Sequence, residues 1–164
     1  MERTADIGTL LRGLTATVAR AEAVAQRLPA ESLLSAPVPG AWSANDILWH
    51  IRSTADVHGE HIERILGEDE PHWRHVSPRA RMKKTNYREL PFAESLAAFA
   101  GQRAALAERL SRLDPGAWQR VAVIKVAHQA GREWRLPLRA LVWGMADHEE
   151  GHCAQMEGVA AAVR

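Results

Sequence analysis

The feature that most constrains the fold of this chain is a three-four spacing of apolar residues that returns in four separate segments. This spacing places the apolar side chains on one face of an α-helix, and such a face has to be buried against another element. The first segment, from about residue 5 to residue 28, ends before Pro29 and carries Ile7, Leu10, Leu11, Leu14, Val18, Ala21, Val24 and Leu28. The sequence therefore predicts a long amphipathic first helix.

Three further segments show the same spacing, and each has a start signal. Ser43 stands three residues before Asp46, as in a capping box, and an apolar stripe from Ile47 to Ile65 predicts a second helix over residues 44–66. Pro91 suits a first helical turn and is followed by a stripe from Phe92 to Leu113. Pro137 opens the last segment, whose buried face is marked by Leu138, Leu141, Met145, Met156, Val159 and Val163. The sequence thus predicts four long helices.

Only one stretch, residues 121–126 (VAVIKV), has the composition of a strand, and one short strand cannot make a sheet. We therefore predict an all-α fold, a four-helix bundle that forms a single domain over residues 1–164. The connections at residues 67–91 and 114–136 are longer than the roughly 2–8 residues usual between antiparallel neighbours in a bundle. At about 3.3 Å per residue, such a connection can run back along a whole helix and leave the second and third helices parallel.

Charge and composition limit the partners of this chain. It carries 21 basic and 20 acidic residues, so no overall field draws it to nucleic acid or to an anionic membrane. No stretch approaches about 18 apolar residues, and the N-terminus does not have the pattern of a signal peptide. The single cysteine, Cys153, excludes an internal disulfide and favours the cytoplasm. We expect a small-molecule partner, and one of the six tryptophans, such as Trp49, could serve a homodimer contact.

Histidines interrupt the apolar faces of two predicted helices. His148 and His152 lie one turn apart inside the stripe of the last helix, where both imidazoles can reach one metal ion. His50 lies within the stripe of the second helix, with His58 and His61 further along it. Three inward imidazoles without a common partner would leave several buried nitrogens to satisfy separately. The histidine pattern therefore favours a divalent metal ion bound between helices.

The segment His148 to His152 also matches the H-E-x-x-H motif of zinc peptidases. Those enzymes need a third ligand downstream, either a distant glutamate or a histidine six residues after the second one. Here position 158 is Gly158 and the sequence given ends twelve residues after His152. We therefore interpret the motif as a chance match, expect Glu149 to meet solvent or a neighbouring helix, and expect the third ligand from upstream.

Two longer segments give the chain a family resemblance. The stretch PGAWSANDILWHI (Pro39 to Ile51) and the stretch HEEGHCAQM (His148 to Met156) together resemble the DinB-like superfamily. The resemblance implies a four-helix bundle with a long crossover between helices two and three. It also implies a divalent metal, zinc or nickel, held by His50, His148 and His152.

The same resemblance leaves the activity open. It implies either a metal-dependent enzyme, which would be a hydrolase or an S-transferase that uses a low-molecular-weight thiol as cosubstrate, or a non-catalytic metal-binding or stress-related protein. Three histidine ligands would leave an open position on the metal, as in catalytic sites. Gln155 follows the family pattern and would either orient a ligand or pack against a helix.

The remaining candidates have no clear place in the family pattern. We interpret His58 and His61 as packing or pocket residues, with replacement of His50 as the alternative. Arg103 interrupts the stripe of the third helix, and either it binds a substrate carboxylate or, as we expect, its head reaches water. Cys153 points away from His148. We expect solvated loops around three histidines, His72, His75 and His128, and around a basic cluster, Arg79, Arg81, Lys83, Lys84 and Arg88.

Overall fold

The predicted helices are present, with small changes at their ends. The computed structural model describes residues 6–74, 80, 82–125 and 133–163. Its helices are α1 (Ile7–Ala25), a short α2 (Ala30–Leu33), α3 (Ala44–Gly67), α4 (Phe92–Ser111) and α5 (Leu138–Ala162). Helix α1 stops short of residue 28 because the chain tightens before Pro29, where the Arg27 N–H donates to the Val24 carbonyl at 3.1 Å.

The start of α3 is fixed by the predicted capping box. The Ser43 hydroxyl accepts the Asp46 N–H at 3.1 Å, and the Asp46 carboxylate accepts the Ser43 N–H at 3.2 Å. Arg88, from the connection that follows α3, donates to the other oxygen of Asp46 at 2.7 Å. Because the capping box sets the first turn of the helix, it also sets the direction in which His50, on the next turn, projects.

Helices α3 and α4 run parallel, as the long connection between them suggested. Polar side-chain contacts between the two helices have residue numbers that rise together along both: Arg52 with Ser95, Asp56 with Gln102, and Glu63 with Arg109. Helices α1 and α5 are parallel for the same reason, since Thr17 contacts Cys153 and Arg20 contacts Glu157. The connection between α3 and α4 is therefore a crossover that runs back along the bundle, as predicted.

The bundle core consists of two apolar clusters. The first cluster includes Val24, Ile51, Phe99 and Met156, and the second includes Leu14, Ile62, Leu110, Leu141 and Met145. Along each helix a polar residue stands between the two clusters. We call these four residues, one from each long helix, the polar layer: Thr17, His58, Arg103 and Glu149.

The structure also contains a small sheet that we did not expect. It has three strands among the described residues, β1 (His72–Arg74), β2 (Val121–Lys125) and β3 (Glu133–Pro137). Strand β2 lies in the middle, parallel to β1 and antiparallel to β3. We expected the 121–126 strand to lack partners, and this expectation was wrong. Both partner strands come from the two long connections, and they are too short or too exposed to show a strand pattern in the sequence. The sheet is minor, and the all-α bundle class is confirmed.

The sheet closes one end of the bundle. Ala122 of β2 is buried in the second apolar cluster, and Leu136 of β3 packs against it. The Leu138 N–H at the start of α5 donates to the Arg120 carbonyl at 2.8 Å, which ties the sheet to the helix. None of the described helices is long and apolar enough to cross a membrane.

Candidate metal centre

The structure brings together the three histidines that the sequence selected. His50 projects from α3, and His148 and His152 project from α5, which lies beside it. Each residue offers a ring nitrogen, and these three nitrogens all lie within 4.8 Å of one another. The Nε2 atoms of His50 and His148 are 3.0 Å apart. We call this group the three-histidine cluster.

The spacing of His50 and His148 and the protonation of His148 fit a divalent ion. Two imidazole nitrogens that bind one zinc ion at about 2.0–2.1 Å lie at most about 4.2 Å apart, so the spacing between His50 and His148 fits. A ligating imidazole must be neutral. Burial, together with the charge of the nearby His152, lowers the pKa of His148 to about 4. His148 is therefore neutral at physiological pH, with a lone pair available for a metal.

Two residues orient the histidines from behind. The Nδ1 atom of His152 lies 2.9 Å from the Oε1 atom of Gln155. Because an amide oxygen accepts, the tautomer with the proton on Nδ1 satisfies this contact and presents the Nε2 lone pair to a metal. The Nδ1 atom of His50 lies 3.1 Å from the thioether sulfur of Met82, a buried residue of the crossover. The contact between Gln155 and His152 is the one that the orienting role of Gln155 requires, and that role, one of our two alternatives, stays a prediction. Met82 was missed, because nothing in the sequence places it opposite His50.

Trp42 forms one wall of the cluster and was also missed. Its ring centroid lies 5.1 Å from that of His50 and 6.0 Å from that of His152, with the second pair stacked at 25°. The residue directly precedes the helix cap Ser43, so the cap that starts α3 also directs this ring toward the histidines. The sequence shows Trp42 directly before the cap Ser43, but periodicity does not show how close the Trp42 ring lies to the histidines.

The other histidines that the structure describes lie outside the cluster. Burial, together with the charges of His148, His61 and Arg103, lowers the pKa of His58 to about 3. The ring of His61 stacks on Trp73 of β1, with the two ring centroids 4.2 Å apart. His58 and His61 are both outside the group of three histidines, so neither of them replaces His50 there. His72 is exposed, as expected, but lies in β1 instead of a loop. His75 and His128 lie outside the described residues.

Arg103 is buried, which corrects our expectation that its head reaches water. Its Nε and Nη2 atoms donate to the two carboxylate oxygens of Glu149 at 3.1 and 2.5 Å, and both side chains are only 1% exposed. The Thr17 hydroxyl donates to the same carboxylate at 3.3 Å. The expectation failed because the periodicity of α4 does not show that α5 places a carboxylate opposite the guanidinium.

The contact with Arg103 bears on the role that the H-E-x-x-H motif would give to Glu149. The carboxylate faces Arg103 on the neighbouring helix and is not among the groups that meet at the three-histidine cluster. Burial raises the pKa of Glu149, while the Arg103 charge opposes the rise. Glu149 therefore meets a neighbouring helix, one of the two surroundings we expected. That it does not act as the general base of a zinc peptidase stays a prediction.

The single cysteine is buried against α1 and away from the cluster. Cys153 is 1% exposed, and its thiol donates to the Thr17 carbonyl at 3.6 Å. Burial raises the pKa of this thiol to about 11. Since the thiolate is the nucleophilic form, Cys153 is poorly suited to attack a substrate.

The basic cluster of the crossover is only partly described. Lys83 and Lys84 are exposed, and Arg88 is also exposed while its guanidinium contacts Asp46 and Trp49. Arg79 and Arg81 lie outside the described residues. The described members thus fit a solvated surface.

Comparisons with known proteins agree with the bundle fold. A family model for the DinB superfamily matches residues 14–156. The solved structure of YfiT from Bacillus subtilis, described as a probable metal-dependent hydrolase with an unusual four-helix bundle topology, aligns with a TM-score of 0.79 at 13% identity, over 97% of this chain and 90% of that chain. A mycothiol-dependent maleylpyruvate isomerase aligns with a TM-score of 0.69 at 13% identity, over 93% of this chain and 61% of that one. No curated protein sequence gives a significant match.

Proposed function

The chain belongs to the DinB superfamily, and from that premise we propose that it is a divalent-metal-dependent enzyme acting on a small molecule. The observation that carries the proposal is the three-histidine cluster, in which three ring nitrogens from two helices come within 4.8 Å of one another. His50, His148 and His152 would hold the ion, and zinc or nickel suits imidazole ligands. A near-neutral chain, with a formal net charge of +1, fits a small-molecule partner better than nucleic acid.

Residues of this chain would hold such an ion and shape its surroundings. A divalent ion with three neutral imidazole ligands supplies a Lewis acid with an open position, which lowers the pKa of a water or thiol ligand. Gln155 holds His152 in the tautomer that presents Nε2, and Met82 packs on the opposite nitrogen of His50. Trp42 covers the side of the cluster formed by His50 and His152 and would limit the access of water there.

Two reaction classes suit this site, hydrolysis and thiol transfer or thiol-assisted isomerisation. One structural neighbour is described as a probable metal-dependent hydrolase and the other as a mycothiol-dependent isomerase, which supports considering both classes. For thiol chemistry the nucleophile has to come from outside the chain. The only cysteine is buried and its pKa is raised to about 11, so thiol chemistry would need a low-molecular-weight thiol as cosubstrate.

Turnover assays on protein loaded with zinc or nickel test the proposal. We would compare a small thiol plus an electrophile with simple ester and amide substrates, in wild type and in a His148→Ala, His152→Ala double variant. Turnover in one substrate class that requires the metal and disappears in the double variant is the expected result. If metal-loaded wild type turns over neither class, the second candidate, a non-catalytic metal-binding protein, is favoured by the same cluster.

A further inference from the structure

Strand β3 forms an exposed edge of the small sheet. It pairs with β2 on one side, and no other described strand pairs with it. Glu133, Trp134 and Arg135 are all exposed, and Trp134 is a large apolar side chain that is 51% exposed. An exposed strand edge presents backbone groups that can pair with another strand. The edge of β3 is therefore a surface on which a further strand can add to the sheet.

The backbone groups of Glu133 and Arg135 point away from β2. The Val123 N–H donates to the Pro71 carbonyl, on the β1 side, at 2.9 Å, so Val123 faces away from Arg135, its partner in β3. Because the direction of the backbone groups alternates along an antiparallel pair, Glu133 and Arg135 both present their N–H and C=O groups to the open edge. Pro137 takes the next outward position, where its missing N–H costs no bond to β2.

Space lies beside β3 on the side of α5. A cavity of about 490 Å³ is lined in part by Leu136 of β3 and by Ala140, Trp143 and Gly144 of α5. Side chains alternate along a strand, so Trp134 lies on the same face of β3 as Leu136, the face turned toward the bundle. Helix α5 thus leaves room beside this face, and a second chain can approach β3 without displacing a helix.

Charge selects one register for the pairing of two copies of β3. A twofold axis through Glu133 or through Arg135 places two like charges opposite each other, which destabilises a strand pair. An axis through Trp134 instead places Glu133 of each copy opposite Arg135 of the other. Both residues face outward, so in this register they also exchange backbone hydrogen bonds. The two Trp134 residues then form a non-hydrogen-bonded pair, the kind in which opposite side chains lie closest.

The ion pairs that these two residues make within the chain are compatible with this register. Glu133 lies 3.5 Å from Lys125, and Arg135 contacts Glu70. All four side chains are between 42% and 64% exposed. A carboxylate has two acceptor oxygens and a guanidinium has five N–H donors. Glu133 and Arg135 can therefore keep their present partners and each bind the opposite charge of a second copy.

We propose that two copies of this protein associate through the edge of β3, about a twofold axis at Trp134. The two small sheets then become one continuous sheet, with three strands from each copy. The partner is a second copy of this chain, recognised by Glu133, Trp134 and Arg135. The inference is independent of the proposed function, because none of these three residues belongs to the three-histidine cluster.

The test is sedimentation of the purified protein at increasing concentration, which gives the dissociation constant of the dimer. Wild type should sediment as a dimer at high concentration. Glu133→Arg and Arg135→Glu each turn both cross-strand charge pairs into pairs of like charge, and we expect either change to raise the dissociation constant about tenfold or more. Mixing the two variants places opposite charges across the interface again, so an equimolar mixture should form a heterodimer.

The double variant Glu133→Arg, Arg135→Glu exchanges the two charges and should dimerise as wild type does, so the test does not depend on the folding of either single variant. Glu63→Arg and Arg109→Glu are the controls, because they reverse the charges of an exposed pair on α3 and α4, also 3.5 Å apart, and should leave the dissociation constant unchanged. Wild type that stays monomeric at every concentration would overturn the proposal. A dimer that both single variants retain, or single variants that fail to combine when mixed, would overturn it as well.

Discussion

Replacing Glu149 with glutamine should destabilise the protein strongly, because it leaves the buried guanidinium of Arg103 without a counter-charge. Removing one partner of a buried ion pair costs about 3–5 kcal/mol. Glutamine keeps one oxygen that can accept from Arg103, so we place the loss at the lower end, about 3 kcal/mol. For a domain of 164 residues, each kcal/mol lowers the melting temperature by about 2–4 °C, which gives a decrease of about 6–12 °C.

The matched control is Glu157→Gln. Glu157 also receives two hydrogen bonds from an arginine, Arg20, at 2.7 and 2.8 Å, and it lies on the same helix as Glu149. Its pair is partly solvated, with side chains 32% and 42% exposed, so its loss should cost only about 0–1 kcal/mol. A double variant, Arg103→Met with Glu149→Leu, should recover most of the stability, because it removes both buried charges.

The assay is thermal and urea unfolding of the metal-free protein, followed by circular dichroism. Using metal-free protein separates the ion pair from any stabilisation by a bound metal. A Glu149→Gln variant as stable as Glu157→Gln would refute the reasoning, since it would mean that the buried pair contributes no more than a surface one.

Three further predictions concern the cluster and its surroundings. Gln155→Leu should weaken zinc affinity by about 10–100-fold without changing the melting temperature of the metal-free protein, as measured by competition with a chromophoric chelator, because His152 loses its orienting partner. A disulfide reagent should label Cys153 in the native protein far more slowly than in urea, and Cys153→Ala should retain any activity found, since the thiol is buried with its pKa raised to about 11. Removing metal by chelation should leave the helical circular dichroism intact and lower the melting temperature modestly, because the two apolar clusters form without the ion.

Most of the bundle could be predicted because its information is local. A stripe of apolar residues and a cap such as Ser43 with Asp46 act within one helix, so the periodicity alone locates α1, α3, α4 and α5 to within a few residues. The sheet could not be found in this way. Strands β1 and β3 are short, largely exposed segments whose structure depends on pairing with β2, a contact between residues far apart in the sequence.

Two of the three histidines in the cluster were predictable from local periodicity, as the helices were. His148 and His152 lie one turn apart on an inward face, and the family resemblance supplied His50. The structure places these three residues together, while their role as metal ligands stays a prediction. The buried pair of Arg103 with Glu149 and the contacts of Trp42 and Met82 were not predictable, because each depends on which side chain a neighbouring element places opposite.

Metal analysis of protein purified without a metal-affinity tag tests the central claim most directly. Elemental analysis of wild type, after incubation with zinc or nickel and removal of the excess, should give about one ion per chain. Single variants of the cluster, His50→Ala, His148→Ala and His152→Ala, should each lose most of it, while His72→Ala, whose side chain is exposed in β1, should keep it. A His148→Ala, His152→Ala double variant that still binds one ion per chain would contradict the assignment of the metal centre.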